Sequence, residues 1–239
     1  MRIDKRKYDE LRKIAITKDY LKHPQGSVLI EFGDTKVICT AMIEEKVPPF
    51  LRNSGRGWIT AEYSMLPAAN PQRKQRDIGK LKLDGRSAEI QRLIGRSLRS
   101  VVDLNLLGER TIWIDCDVIQ ADGGTRCASI CGGFVAMYDA VLKLIASGNL
   151  KTNPITTFAS AVSVGIGREQ FLLDLCYAED STAIADVNVV MTEEGSFIEI
   201  QATGEARPIT ENEMVVLLSM AKKATKEIIE IEKKALGLV

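Results

Sequence analysis

Thr111-Ile112-Trp113-Ile114-Asp115-Cys116-Asp117-Val118-Ile119-Gln120-Ala121-Asp122-Gly123-Gly124-Thr125-Arg126 is the stretch on which the fold turns. Ile112, Ile114, Cys116 and Val118 alternate with Thr111, Trp113, Asp115 and Asp117, so its first part is a strand with one apolar face. Beyond the glycines a helix is expected from about Thr125 to Ile145. Its early turns carry Cys127, Ala128, Ser129, Cys131, Gly132 and Gly133, side chains small enough for close packing against a neighbour.

Upstream, a helix from Ser87 to Leu104 puts Ile90, Leu93, Ile94, Leu98 and Val101 on its buried side. Arg92, Arg96 and Arg99 fall at i, i+4 and i+7 and leave that helix along one stripe. Before it, Pro67 to Lys82 reads as an exposed loop rich in glycine, proline, amides and basic residues. Earlier still, Ile14 and Ile16 share a strand face. Val28, Ile30 and Phe32 lead through Gly33-Asp34 into Val37–Met42 as a hairpin, and Trp58–Tyr63 is a further strand. Downstream, strands fit at Ala161–Ile166, Phe171–Cys176, Asp186–Met191 and Phe197–Ala202. A last helix is announced by Thr210 with Glu213 three residues on, a capping box, and runs to about Leu236. The expectation is an α+β domain over residues 1–239, mixed sheets with helices on one side, whose halves (about 1–147 and 155–239) loosely repeat.

Composition narrows the chemistry. The start, Met1-Arg2-Ile3-Asp4-Lys5-Arg6, is charged, and no apolar run approaches the roughly 20 residues of a membrane helix, so a cytoplasmic protein without membrane contact is expected. Five cysteines without C-x-x-C spacing, all in apolar-rich segments, read as core residues and not as a zinc site or disulfide framework. The single histidine, His23, lies in a turn-like stretch. Reaction chemistry is therefore left to carboxylates, arginines, hydroxyls, backbone amides or a metal. Net charge is zero, yet Arg73 to Arg110 holds ten Lys or Arg against five Asp or Glu, which suits either a phosphate-rich partner or a solvated surface.

Three constellations remain. Asp122-Gly123-Gly124-Thr125-Arg126 between strand and helix can cradle an anion at the helix N-terminus, or can be a tight turn whose threonine caps the helix. Asp84-Gly85-Arg86 can aim an arginine at the same anion, or can be an Asp84 cap beside an exposed Arg86. Asp180 and Asp186 can converge on a hard cation such as magnesium, or can be turn formers. Asp115 and Asp117 share a strand face and could instead pair with the arginine stripe. Neither a phosphate-loop lysine motif nor a dinucleotide fingerprint occurs, which disfavours a nucleotide hydrolase.

Gly33–Ala41, Gly57–Pro67, Gly85-Arg86 through Glu89–Arg96, Gly108–Ile112, Asp115–Arg126 and Glu179-Asp180-Ser181 through Asp186–Met191 resemble the ribonuclease PH family, in order and over essentially the whole chain. The resemblance implies the RNase PH fold: two similar βα halves of the ribosomal protein S5 domain 2 type, assembled as a ring of six identical subunits. It implies 3′→5′ exoribonuclease activity by phosphorolysis, with orthophosphate as co-substrate, nucleoside diphosphates as products and tRNA precursor 3′ ends as substrate. It assigns orthophosphate to Arg86, Gly124, Thr125 and Arg126, and a catalytic, metal-binding role with magnesium or manganese to Asp180 and Asp186. RNA contact falls to Arg73, Arg76, Arg92 and Arg99. Rival readings are an exosome-type ring subunit that needs a different partner subunit, and a non-catalytic RNA-binding ring protein. The chain departs from the family's pattern at Lys5, where glycine is usual, at Ala68, where arginine is usual, at Cys127-Ala128-Ser129-Ile130-Cys131, and by the added charge of Arg207.

Overall fold

The structure, a computed structural model, describes residues 2–76 and 84–239; the end of the expected loop, 77–82, lies outside the described residues. Strands β1 (Ile14–Lys18), β2 (Gly26–Phe32), β3 (Thr35–Glu44), β4 (Trp58–Met65) and β5 (Thr111–Gln120) form one sheet in the order β1-β2-β3-β5-β4. Only the β4–β5 pair is parallel, and the crossover between those strands carries helix α1 (Gly85–Arg99) and the single turn α2 (Leu104–Leu107). After α3 (Thr125–Ala146) come β6 (Ala159–Ile166), β7 (Phe171–Leu173), the turn α4 (Tyr177–Asp180), β8 (Ala185–Thr192), β9 (Phe197–Thr203) and α5 (Glu211–Leu236). The second sheet runs β7-β6-β8-β9, all antiparallel.

The alternation in β5 is realised as expected: Ile112, Ile114, Cys116 and Val118 are buried to within 1%. They face α3, which is wedged between the sheets, against β2, β3 and β5 on one side and β6 on the other. Ile130, Phe134, Val135, Met137 and Val141 of α3 are fully buried, each contributing about 1.5–3 kcal/mol of transfer free energy. The small residues permit the approach: a Cβ on Gly132 would lie 2.7 Å from both Cys39 Sγ and Ile30. By mean hydropathy (1.5) and length α3 could cross a membrane, but 72% of its most apolar window is buried inside the protein, as befits a core helix. One hydrophobic cluster spans both halves.

Three elements depart from what periodicity or the family pattern suggests. Helix α1 stops at Arg99, not Leu104, because Val102 bridges to Ile155 and the Asp103 carboxylate accepts from the Asn105 and Leu106 amides to start α2. The strand expected over Phe171–Cys176 stops at Leu173, since Asp174 adopts a left-handed φ of 52°. Lys5 sits at φ 66°, a conformation that glycine adopts without strain. The glycine of the family's pattern thus has a conformational reason here, and Lys5→Gly is expected to stabilise the protein by about 1 kcal/mol, read as a higher Tm. At the other end, both halves of the Thr210–Glu213 capping box form, and Arg207 pairs with Glu213 at 2.6 Å.

All five cysteines are buried free thiols. Burial holds Cys39 and Cys131 well above the ordinary thiol range and pushes Cys127 up to about 12. Glu232 of α5 is fully buried, and the weakly donating Cys131 thiol is the polar group beside its carboxyl, which has no strong hydrogen bond among the described residues. Desolvation raises this carboxyl well above its usual value, so the folded state keeps a proton that the unfolded chain releases above about pH 4.3. Folding stability attributable to this site therefore falls as pH rises from that point towards the raised folded value. Glu232→Gln cannot titrate, so the Tm of the variant relative to the natural protein should climb between pH 5 and 8; a pH-independent offset would contradict the buried proton.

Candidate active site

Helix α3 begins at a tight turn. Gly123 and Gly124 are both left-handed, at φ 76° and 64°, and a Cβ on Gly123 would sit 2.5 Å from the Leu175 carbonyl oxygen. No side-chain cap bond forms at the α3 N-terminus among the described residues, so the first-turn N–H groups, which have no partners within a helix, face outward with their partial positive charge. Thr125 is not the cap: it is the first helical residue, and its Oγ1 accepts from Tyr63 Oη at 2.9 Å. That bond leaves the threonine proton available to a ligand.

Around this turn a cavity of about 670 Å³ brings together Arg86, Gly124, Thr125, Arg126, Asp180 and Asp186. Arg86 comes from the first turn of α1. Asp84 takes the N-cap position there without a side-chain cap bond and accepts instead from Lys74 Nζ at 2.9 Å. Arg126 comes from the first turn of α3, its Nη1 donating to Gln201 Oε1 at 2.6 Å and lying 3.5 Å from Glu89 Oε1 of α1. Asp180 closes α4 and Asp186 is the second residue of β8. Asp186 accepts from Asn188 Nδ2 at 3.3 Å, and Asn188 in turn accepts from Cys127 Sγ at 3.4 Å. The Asp180 carboxyl is raised above its ordinary value, first by burial and then by the Asp186 charge, while Arg86 and Arg126 pull it back. These groups therefore act on one another electrostatically across one site.

The donor set fits a hard divalent cation: two carboxylates on one cavity wall, one raised by the other's charge. Among the described residues no group of three or more histidine, cysteine or carboxylate side chains is placed to hold a metal. A cation at Asp180 and Asp186 would thus complete its shell with water and substrate oxygens, as magnesium does.

The four arginines assigned to RNA are not among the described residues lining this cavity. Arg73 and Arg92 are exposed, and Arg76 lines a separate cavity with Asp117. Arg99 lies at the far end of α1, about 20 Å along the axis from Arg86, where it donates to the Ile59 carbonyl at 2.6 Å and stacks 4.4 Å over Trp58. Asp115 and Asp117 do not serve the arginine stripe. Asp115 accepts from Thr40 and is raised by burial, Glu62 and Asp117, while Arg96 pairs with Glu199 of β9 at 2.6 Å. A third cavity of about 700 Å³ shares Arg86, Gly124, Thr125 and Asp180 with the first and is also lined by Asn70, Pro71, Gln72 and Lys74 of the loop. Several residues that shape the site were not singled out in the sequence. Tyr63, Glu89 and Asn188 lie inside the strings that carry the resemblance, whereas Ser163 and Gln201 carry no distinguishing signal.

Residues 10–143 match domain 1 of the 3′ exoribonuclease family, RNase PH, and residues 157–224 match its domain 2. The chain is 60% identical over 240 residues to the ribonuclease PH of Bacillus pumilus, covering 100% of this chain and 99% of that protein. It is 59% identical over 238 residues to the ribonuclease PH of Bacillus subtilis, covering 99% and 97%. The fold is also that of rice Rrp46 (TM-score 0.80, 18% identity, 98% of this chain and 100% of that one). The same holds for a chain of the Archaeoglobus fulgidus exosome with RNA bound to the active site (TM-score 0.80, 22% identity, 96% and 91%). With both domains matched in order and full-length relatives at this identity, the chain belongs to the ribonuclease PH family of 3′ exoribonucleases.

Proposed function

We propose that the chain is a phosphate-dependent 3′→5′ exoribonuclease, a nucleotidyltransferase that removes the last nucleotide of an RNA as its diphosphate. The observation that carries this reading is the single cavity in which a helix N-terminus and two arginines face two carboxylates. An orthophosphate oxygen attacks the phosphorus of the terminal phosphodiester, the bond to the 3′-oxygen of the preceding nucleotide breaks, and that oxygen takes up a proton. Two phosphates must approach despite their repulsion. Arg86, Arg126 and the α3 amides supply fixed positive charge in a half-enclosed cavity where it is worth more than in water. Thr125 donates its hydroxyl proton to a bound phosphate oxygen, and Tyr63 fixes the rotor. When bound at Asp180 and Asp186, magnesium or manganese would stabilise charge on the reacting phosphate. Asn188 holds the Asp186 carboxylate in orientation.

The preferred RNA in this reading is the 3′ tail of tRNA precursors, the setting is the cytoplasm, and the assembly is a homohexameric ring. Relatives named ribonuclease PH and the exosome neighbours support RNA as substrate and a ring as the assembly. Met42 and Trp113, paired across β3 and β5 and exposed at 45% and 36% on the sheet face away from α3, give that face apolar area for a second copy to cover.

The deciding experiment is incubation with 3′-labelled RNA, with and without orthophosphate. Nucleoside diphosphates formed only with phosphate are expected; monophosphates formed without it would overturn the reading. Arg73 and Arg76 would hold the RNA backbone beside the loop. Replacing both by alanine should make the salt dependence of binding shallower, by about 0.7 in log–log slope for each RNA phosphate that the variant leaves unneutralised. An unaltered slope would exclude both arginines from the RNA path.

A further inference from the structure

Behind the anion cradle, on the side away from the cavity, lies a buried ionic knot that joins the two halves. Arg12, 5% exposed, and Asp174, 1% exposed, form a bidentate pair: Nη2 to Oδ1 at 2.7 Å and Nε to Oδ2 at 3.0 Å, with the Arg12 amide also donating to Oδ2 at 2.8 Å. The other face of the same guanidinium donates to the Asp122 carbonyl at 2.6 Å and, longer, to the Gly123 carbonyl at 3.5 Å. Thr35 Oγ1 donates to the Gly123 carbonyl at 2.6 Å and accepts from the Asp122 amide at 2.9 Å. In a trans peptide the C=O and the following N–H point in opposite directions. Drawing the Gly123 carbonyl back towards Arg12 and Thr35 therefore turns the Gly124 amide forward, to the side where the cavity opens.

The same knot reaches the carboxylate side. The Asp174 amide donates to the carbonyl of Ser163, a cavity-lining residue. Asp174 also leads into α4, which ends at Asp180, and the Tyr177 amide donates to Asp122 Oδ1 at 3.2 Å.

We infer that Arg12, anchored by Asp174 and assisted by Thr35, is a positioning residue for orthophosphate: it fixes the Gly123–Gly124 peptide and locks the cradle to the turn that carries Asp180. This deepens the proposed phosphorolytic reading and rests on it. Arg12 does not reach the reacting atoms; it acts through the backbone it holds. Lysine in its place keeps the charge, but one ammonium cannot form the fork to Asp174 and hold both carbonyls.

The test compares the natural protein with Arg12→Lys and Thr35→Val in one phosphorolysis assay, varying orthophosphate and RNA separately. The rise of Tm on adding orthophosphate is measured alongside. The KM for phosphate should rise about 10–100-fold in Arg12→Lys and less in Thr35→Val, as expected for a displaced binding group. The KM for RNA should stay within about twofold and the phosphate-induced Tm rise should shrink, whereas the Tm without phosphate falls in Arg12→Lys because the buried fork to Asp174 is lost. An unchanged phosphate KM in both variants, or a parallel rise in the KM values for phosphate and RNA, would overturn the inference. If Arg12→Lys does not fold, Thr35→Val, which disturbs no charge, decides by the same criteria. Failure of the underlying reading is visible separately, because the natural protein would then release no diphosphates with phosphate present.

Discussion

Arg126→Ala should lower kcat/KM for orthophosphate by about 10²–10³-fold, the loss typical of removing one preorganised charge donor from a reacting phosphate or oxyanion. Three features of the site make the loss large. The Arg126 side chain is only 16% exposed, so water cannot replace its charge cheaply. It is set by Gln201 from the second sheet, so the donor is already aimed before substrate arrives. Its removal also leaves Glu89, 3.5 Å away in the natural protein, without that counter-charge beside an anion site. The measurement is diphosphate release at limiting phosphate, with Tm as a check on folding. Arg126→Lys, which retains charge but loses the planar fork, should fall between the two. Normal activity of Arg126→Ala at limiting phosphate would remove this residue from the cradle.

Asp180→Asn should lower kcat by about 10²-fold or more and raise the magnesium concentration needed for half-maximal activity. An amide offers one neutral oxygen where the carboxylate offers two charged ones, and hard cations depend on ligand charge. A binding readout accompanies activity: the Tm increase caused by magnesium should disappear. Asp186→Asn should act similarly, with one further signature. The Asp186 charge is the second cause of the raised Asp180 carboxyl, so neutralising it should bring the Asp180 titration, followed by carbon-13 NMR, down towards the usual carboxylate range. An Asp180 titration indifferent to Asp186→Asn would mean that the carboxylates do not share a site, and unchanged magnesium dependence in both variants would exclude them as ligands.

The parts of this fold legible in the sequence are those fixed by local periodicity or capping. Strand β5, helix α3 and the Thr210 box of α5 lie within a residue or two of where pattern places them. Where tertiary contacts compete, pattern misleads. Val101 fits the apolar stripe of α1, yet the chain leaves the helix at Arg99 so that Val102 can bridge to Ile155. The candidate site was legible in its glycines, arginines and aspartates because the resemblance supplies their roles; by itself the strand–glycine–helix junction reads equally well as a tight turn. Its second layer was not. Arg12 and Asp174 stand 162 residues apart in the sequence, and nothing local to either announces the partner. Gln201 looks like any half-buried strand residue until β9 folds beside α3.

The wedged position of α3 also bears on how substrate reaches the chemistry. The cradle belongs to the N-terminal half and the carboxylates to the C-terminal half, an arrangement that in other enzymes invites jaws that swing shut around a ligand. Here α3 is buried against both sheets at once, so parting them would expose Phe134, Ile130 and Val141 together. Such an opening approaches unfolding in energy and leaves no hinge to exploit. The amides of α3 should accordingly exchange with solvent among the slowest in the protein, and in the proposed reading RNA enters an already assembled cleft and is not grasped by a closing one.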